Sequence, residues 1–305
     1  MLNTKKQNSH PIKFIIVKSV IALFGHLPPQ CSHAFAKALA AFFGLLKTKT
    51  KTTVETNVRL VYPGLAPQEQ QRLIKDSLQN AMISGFEIAH MWCASVQRIQ
   101  SIRLEIEGEQ HLQDALAYEK GVVLACPHLG NWELLNYYLA THYDLLALYR
   151  PPRIMEMESF MQSARQRFGG TLIPASPKGI KQLYRQLDRK KLLAILPDQE
   201  PGKSGGIFSP FFGTEALTMT LISRLLRKNH SRLVYAFAER IHPKHYKIHF
   251  LPAETDAYSH DLAISTAALN RGVENCIALC PEQYQWTYKR FKTRPLPTDP
   301  RIYSV

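Results

Sequence analysis

The stretch over residues 121–139, GVVLACPHLGNWELLNYYL, constrains the fold of this chain more than any other. Residues 121–126 form a short apolar run of the buried-strand type. Leu134, Leu135, Tyr138 and Leu139 then recur at helical spacing, with Asn131 placed to cap the helix start. The chain therefore reads strand, tight PHLGN turn, helix. His128 falls at the strand end and Glu133 in the first helical turn. On one continuous helix, side chains five apart diverge by about 140°, so the two meet only if the helix begins between them.

Spacing alone does not select this pair. With 12 His and 24 Asp plus Glu in 305 residues, roughly one His-x4-acid spacing arises by chance. Two occur, His128/Glu133 and His249/Glu254. The second lies in an alternating strand pattern followed by Pro252, with no helix to bring the acid back. Context selects the first.

From about Ile102 onward strand and helix patterns alternate. Strands are expected over 103–106, 122–126, 145–149, 171–173, 192–196, 233–238 and 246–251. This alternation predicts an α/β fold: a mixed, mainly parallel sheet covered by helices on both faces. A long amphipathic helix is expected over 66–92.

The first 60 residues differ in character. Nine lysines and arginines, Lys5 and Lys6 among them, stand against the single acid Glu55 and are interleaved with apolar runs. The uninterrupted apolar part of 14–27 is shorter than the roughly 20 residues a membrane span needs. A second run over 34–46 is broken only by Lys37. Two short helices lying on an anionic membrane surface are expected, in place of a cleaved signal peptide, because no small-x-small cleavage site follows. The organisation read from this is an N-terminal membrane-associating helical region over 1–60 and an α/β domain over 61–305.

The formal net charge of +14 calls for acidic partners. Nucleic acid is not expected, because no recognised nucleic-acid fold signature accompanies the aromatic and basic residues near the C-terminus. Tyr284, Trp286 and Arg290 are read there as packing residues. Five scattered cysteines have neither disulfide-scaffold nor zinc spacing and are read as reduced, mostly buried thiols. Residues 201–206, PGKSGG, look like a Walker A loop, but Pro197 stands where that pattern needs Gly; a mobile flap is expected instead. No cofactor and no metal are expected.

His128, just past a strand end, stands where open α/β sheets place ligands. Neutral His128 would deprotonate an attacking hydroxyl while Glu133 fixes the imidazole tautomer. A turn His beside an acid that merely suits a helix N-terminus is an equally good reading of the residues alone. Arg150, Arg165 and Arg167 cluster between strands and suit phosphate groups, or ordinary ion pairs. Lys178, Lys181, Arg185 and Arg189 line one helix face, which is most often simply solvated.

HLGNWE resembles the His-x4-Asp/Glu signature of the glycerolipid acyltransferase superfamily, most closely the late, Kdo-linked lipid A acyltransferases of Gram-negative bacteria. YRPPR (149–153), RQRFGG (165–170), LPDQE (196–200), FSPFFGTEALT (208–218) and PEQYQWTYKRFKTRP (281–295) follow in family order. The resemblance implies acyl transfer from acyl carrier protein to a hydroxyl of a lipid A precursor, at the inner membrane with the active site facing the cytoplasm. It favours His128 and Glu133 as catalytic residues, and Asn131, Arg150, Arg167 and Asp198 as substrate contacts. The basic helix face would then receive the acidic carrier. The rival readings are a glycerolipid acyltransferase, an acyl thioester hydrolase and a non-catalytic basic membrane-binding protein.

Overall fold

The computed structural model describes residues 10–152, 154–202 and 204–303; Lys5, Lys6, Arg153 and Lys203, used above, lie outside them. The first half of the chain runs α1 (Pro11–Gly25), α2 (Pro29–Gly44), α3 (Lys49–Val61), α4 (Pro67–Cys93), α5 (Val96–Gln100), β1 (Arg103–Glu107), α6 (Glu109–Ala117), β2 (Val122–Ala125), α7 (Trp132–His142), β3 (Leu145–Tyr149) and α8 (Met155–Gln166). It continues with β4 (Thr171–Pro174), α9 (Pro177–Asp188), β5 (Leu192–Ile195), β6 (Gly206–Phe211), β7 (Thr214–Met219), α10 (Leu221–Asn229), β8 (Arg232–His242), β9 (His245–Pro252) and α11 (Leu262–Leu279).

Among the described residues, all seven expected strands join one sheet in the order β1-β9-β8-β2-β5-β3-β4. β8, β2, β5, β3 and β4 run parallel, while β9 turns back antiparallel to β8 and carries β1 beside it. The apolar run of β2 is buried on both faces, as a central strand with helices on either side must be. Val123 and Ala125 enter one core with α3, α9, α10 and α11, whereas Val122 and Leu124 enter the other with α6 and α7. The α/β class and the two-sided cover follow the sequence expectation.

Two parts differ. Residues 206–219 form the antiparallel hairpin β6-β7, where only a flap beside 201–206 was expected. A positive φ at Phe212 and Gly213 makes its two-residue turn. Part of the basic stretch before residue 60 also packs into the core of the sheet domain. Within α3, Val54, Val58 and Val61 are core residues, and Asn57 donates to the carbonyls of Trp286 and Tyr288. The lysines and threonines hid this helix, since its apolar stripe is only three residues wide.

α1 and α2 form a hairpin bent by 118°, and both pack against α4. Gly25 lies so close to α4 that a Cβ there would sit 2.4 Å from the Ala89 carbonyl oxygen. Their other sides expose Ile12, Ile15, Ile16, Leu23, Phe42 and Leu45. No single described helix is long and apolar enough to cross a membrane.

Candidate active site

The PHLGN turn leaves β2 at the end of the sheet where β5 and β3 also finish. It is pinned from behind by β8 and by the 281–286 segment. Gly130 has φ +60°, and a Cβ there would fall 2.0 Å from the Ala238 carbonyl oxygen, so this position admits only glycine. The Asn131 amide donates to that same carbonyl at 2.8 Å, and Gln285 N–H donates to the carbonyl of His128. Asn131 Oδ1 accepts from the Leu134 amide at 3.0 Å and starts α7. The turn is therefore held rigidly, which gives His128 a fixed address.

The carboxylate that receives His128 is Asp198, at the end of β5. Asp198 Oδ1 lies 2.8 Å from His128 Nδ1, and Oδ2 accepts from the His128 backbone N–H at 2.9 Å. Burial works against the Asp198 charge, yet the interactions with His128 prevail and hold its carboxyl below the usual value. An ionised acceptor requires that Nδ1 carry the ring proton. Nε2 is then left with its lone pair, and the Gln199 amide donates toward it at 3.3 Å. The Trp132 ring stands edge-on to the imidazole, with centroids 5.4 Å apart. The imidazole is 15% exposed, enough for a substrate to reach it.

Glu133 does not orient His128. Arg165, from the last turn of α8, takes both of its oxygens: Nε donates to each at 3.1 Å and Nη2 to Oε1 at 2.5 Å. Burial lowers the Arg165 pKa, but Glu133 outweighs this and raises it. The carboxylate in contact with the His128 ring is therefore Asp198 and not Glu133. The physical reason is topological: β2 and β5 are sheet neighbours, and their ends meet across 70 residues of sequence.

The other expected contacts divide. Arg150, at the end of β3 on the same edge of the sheet, is exposed and has no partner among the described residues. Arg167 does not face this site as a phosphate ligand. Its Nη1 donates to the Ala94 carbonyl and its Nη2 to that of Met91, so it caps the C-terminus of α4. Asn131 is buried and caps α7. Glu200 accepts from Thr293 N–H and Oγ1 and so ties down the C-terminal segment.

Cys126 is buried, and burial drives its thiol pKa far up, which removes a thiolate nucleophile from this site. His249 stacks on Phe237 and pairs with Glu239, while Glu254 pairs with Arg271, so the second His-x4-Glu match is structural. Tyr284, Trp286 and Arg290 are buried; the Tyr284 hydroxyl interacts with Asp198, and Arg290 donates to the Leu217 carbonyl and Thr218 Oγ1. Sequence reasoning missed Gln199 as the group at Nε2 and Trp132 as the ring beside His128. It named Arg165 without its partner. Among the described residues, no three His, Cys, Asp or Glu side chains converge to hold a metal ion.

A carboxylate-oriented His whose Nε2 meets the Gln199 amide, at the C-terminal ends of the parallel strands, is an arrangement of the kind found where α/β sheets bind ligands. The chain belongs to the bacterial lipid A biosynthesis acyltransferase family, whose model matches residues 1–293. It is similar to the lipid A biosynthesis lauroyltransferase of Escherichia coli K12, with 26% identity over 244 residues and 79% of each chain covered. The palmitoleoyltransferase of the same organism is 25% identical, covering 81% of this chain and 80% of its own. The lipid A biosynthesis myristoyltransferase of that strain is 24% identical over 308 residues, 96% of this chain and 95% of its own. The protein is thus an acyltransferase of lipid A biosynthesis, and the glycerolipid and non-catalytic readings give way.

Proposed function

We propose that the protein moves a fatty acyl chain from the thioester of acyl carrier protein to a hydroxyl of a lipid A precursor, with His128 as general base. The acceptor hydroxyl, carried by a hydroxyacyl chain already on the saccharide lipid, displaces Gln199 from Nε2. It gives its proton to that nitrogen as its oxygen attacks the thioester carbonyl. The imidazolium formed is stabilised by Asp198, which also holds the tautomer. Collapse of the tetrahedral intermediate then expels the carrier thiolate, which regains a proton from His128. The observation that carries this reading is the two-point grip of Asp198 on His128.

Glu133 acts in this scheme through Arg165. The pair stations a guanidinium beside the first turn of α7, where it faces negative charge on the substrate or on the developing oxyanion. Arg150, on the same edge and without a partner among the described residues, is the second cation for an anionic substrate. The exposed apolar side chains of α1 and α2 enter the headgroup layer of an anionic membrane, on the side of α4 from which the lipid acceptor arrives. This reading puts the protein at the inner membrane with its site open to the cytoplasm, where the carrier protein docks on the basic face of α9.

The test is incubation of the purified protein with acyl carrier protein loaded with different chains and with lipid A precursors, followed by mass spectrometry of the lipid. One added acyl chain with wild type and none with His128→Ala is expected. Transfer that proceeds normally in folded His128→Ala would remove His128 from the chemistry. Acyl release to water at the same rate with or without the acceptor lipid would instead support a hydrolase.

A further inference from the structure

At the opposite edge of the sheet from His128 lies a second site of different character. Arg232 begins β8 in register with Val122, the first residue of β2, whereas His128 follows that strand's far end. There the end of α10, the start of β8 and the segments around residues 118 and 258–260 border a half-open cavity of about 190 Å³. Arg227, His230, Arg232 and His260 contribute to its lining, and no lining residue is acidic.

The state of Arg232 points to a ligand. The Arg232 guanidinium sits 3.6 Å from the centroid of the Tyr118 ring and 5.8 Å from that of Tyr258, and among the described residues no carboxylate or carbonyl accepts from it. Stacking fixes its plane and leaves its in-plane N–H donors directed away from the rings. Ser231 also contributes to the lining, but its Oγ has no accessible surface and does not reach the cavity.

The bland account is that cations gather at the C-terminus of α10 to complement its dipole. It suffices for Arg227 and for Lys228, which lies over Tyr184. It does not explain Arg232, which lies beyond the helix.

We propose that this cavity binds a small phosphate-bearing molecule. Arg232 and Arg227 hold the oxyanion, and the two tyrosines flank whatever carries the phosphate. A planar guanidinium matches two phosphate oxygens at once. The volume exceeds what a bare phosphate fills, so it accommodates a short organic body as well.

Calorimetric titration of the full chain in detergent, in chloride buffer, tests this with inorganic phosphate in one arm and glycerol 3-phosphate and a nucleoside monophosphate in two others. Saturable binding is expected, weakened about tenfold or more by Arg232→Gln and, separately, by the exposed Arg227→Gln. Acyl transfer should persist in both variants. Tighter binding of an ester than of phosphate supports an organic ligand, and equal binding supports free phosphate as the occupant. Arg150→Ala should leave these affinities unchanged, which separates this cavity from anion binding at the catalytic edge. No saturable heat up to about 10 mM, or titrations that neither Arg227→Gln nor Arg232→Gln alters, would overturn the proposal.

Discussion

Asp198→Asn is the sharpest test at the scale of single residues. An amide can still meet the His128 main-chain N–H if its oxygen faces that way, but its NH2 then faces Nδ1 and favours the wrong tautomer. Transfer is expected to fall by about 10²- to 10⁴-fold with little change in KM, measured under saturating acyl carrier protein. Glu133 and Arg165 should behave as one unit. Glu133→Ala and Arg165→Ala are each expected to impair transfer, and the double variant to be no worse than either alone, a coupling of about 1–3 kcal/mol in a double-mutant cycle. Additive losses would mean that the two act separately. Cys126→Ala should retain most activity, and intact-mass analysis with acyl donor alone should show no acyl adduct, because burial keeps that thiol protonated.

At the scale of elements, the joint between α4 and β8 depends on a buried ion pair. Both Glu87 oxygens accept from Arg240, through Nε and Nη2, while Tyr246 donates to Oε1 and His33 of α2 lies 3.2 Å away. Burial opposes the Glu87 charge, but Arg240 and His33 overcome it and bring the pKa from 4.5 down to about 2. A carboxylate lowered on folding stabilises fully above its unfolded value, and that contribution disappears as pH falls from about 4.5 through about 2. It amounts to about 3 kcal/mol. Urea unfolding across that window should show this loss in wild type. Glu87→Gln should lack that acid dependence and be less stable near neutral pH by about 3–5 kcal/mol, since it strands Arg240 as a buried unpaired cation. A variant as stable as wild type at neutral pH would contradict this account of the joint.

At the scale of the whole molecule, the N-terminal hairpin has a face packed on α4 and an exposed apolar face. One packs on α4 through Gly25 and His33, so removing residues 1–46 would strip cover from the sheet domain as well as any membrane anchor. Substituting only the outward side chains separates the two. Ile12, Ile16 and Leu23, exposed at 75, 59 and 64%, changed together to Asp, should reduce sedimentation with anionic liposomes. The change in folding stability should stay within about 0.5 kcal/mol per site, as is usual for exposed positions. Full sedimentation of this variant would place the attachment elsewhere.

The local grammar of the chain determined the strands, the turn at 127–131 and the cap at Asn131. Buried β-branched runs and helical periodicity are encoded within a few residues of one another, and so is the glycine that the turn demands. His128 and Glu133 were visible for the same reason, since both belong to one strand-turn-helix unit. Their partners were not. Asp198 reaches His128 because β5 lies beside β2, and Arg165 reaches Glu133 because α8 ends against α7. Arg167, similar in type and only two residues further on, caps α4 instead. α3 escaped notice because a three-valine stripe among lysines and threonines becomes an interior face only when a core is present to receive it. Sequence determined which groups this protein carries and in which local frames. Only the tertiary structure decided which carboxylate meets which base, because strand order is fixed by packing across the whole sheet and not by spacing along the chain.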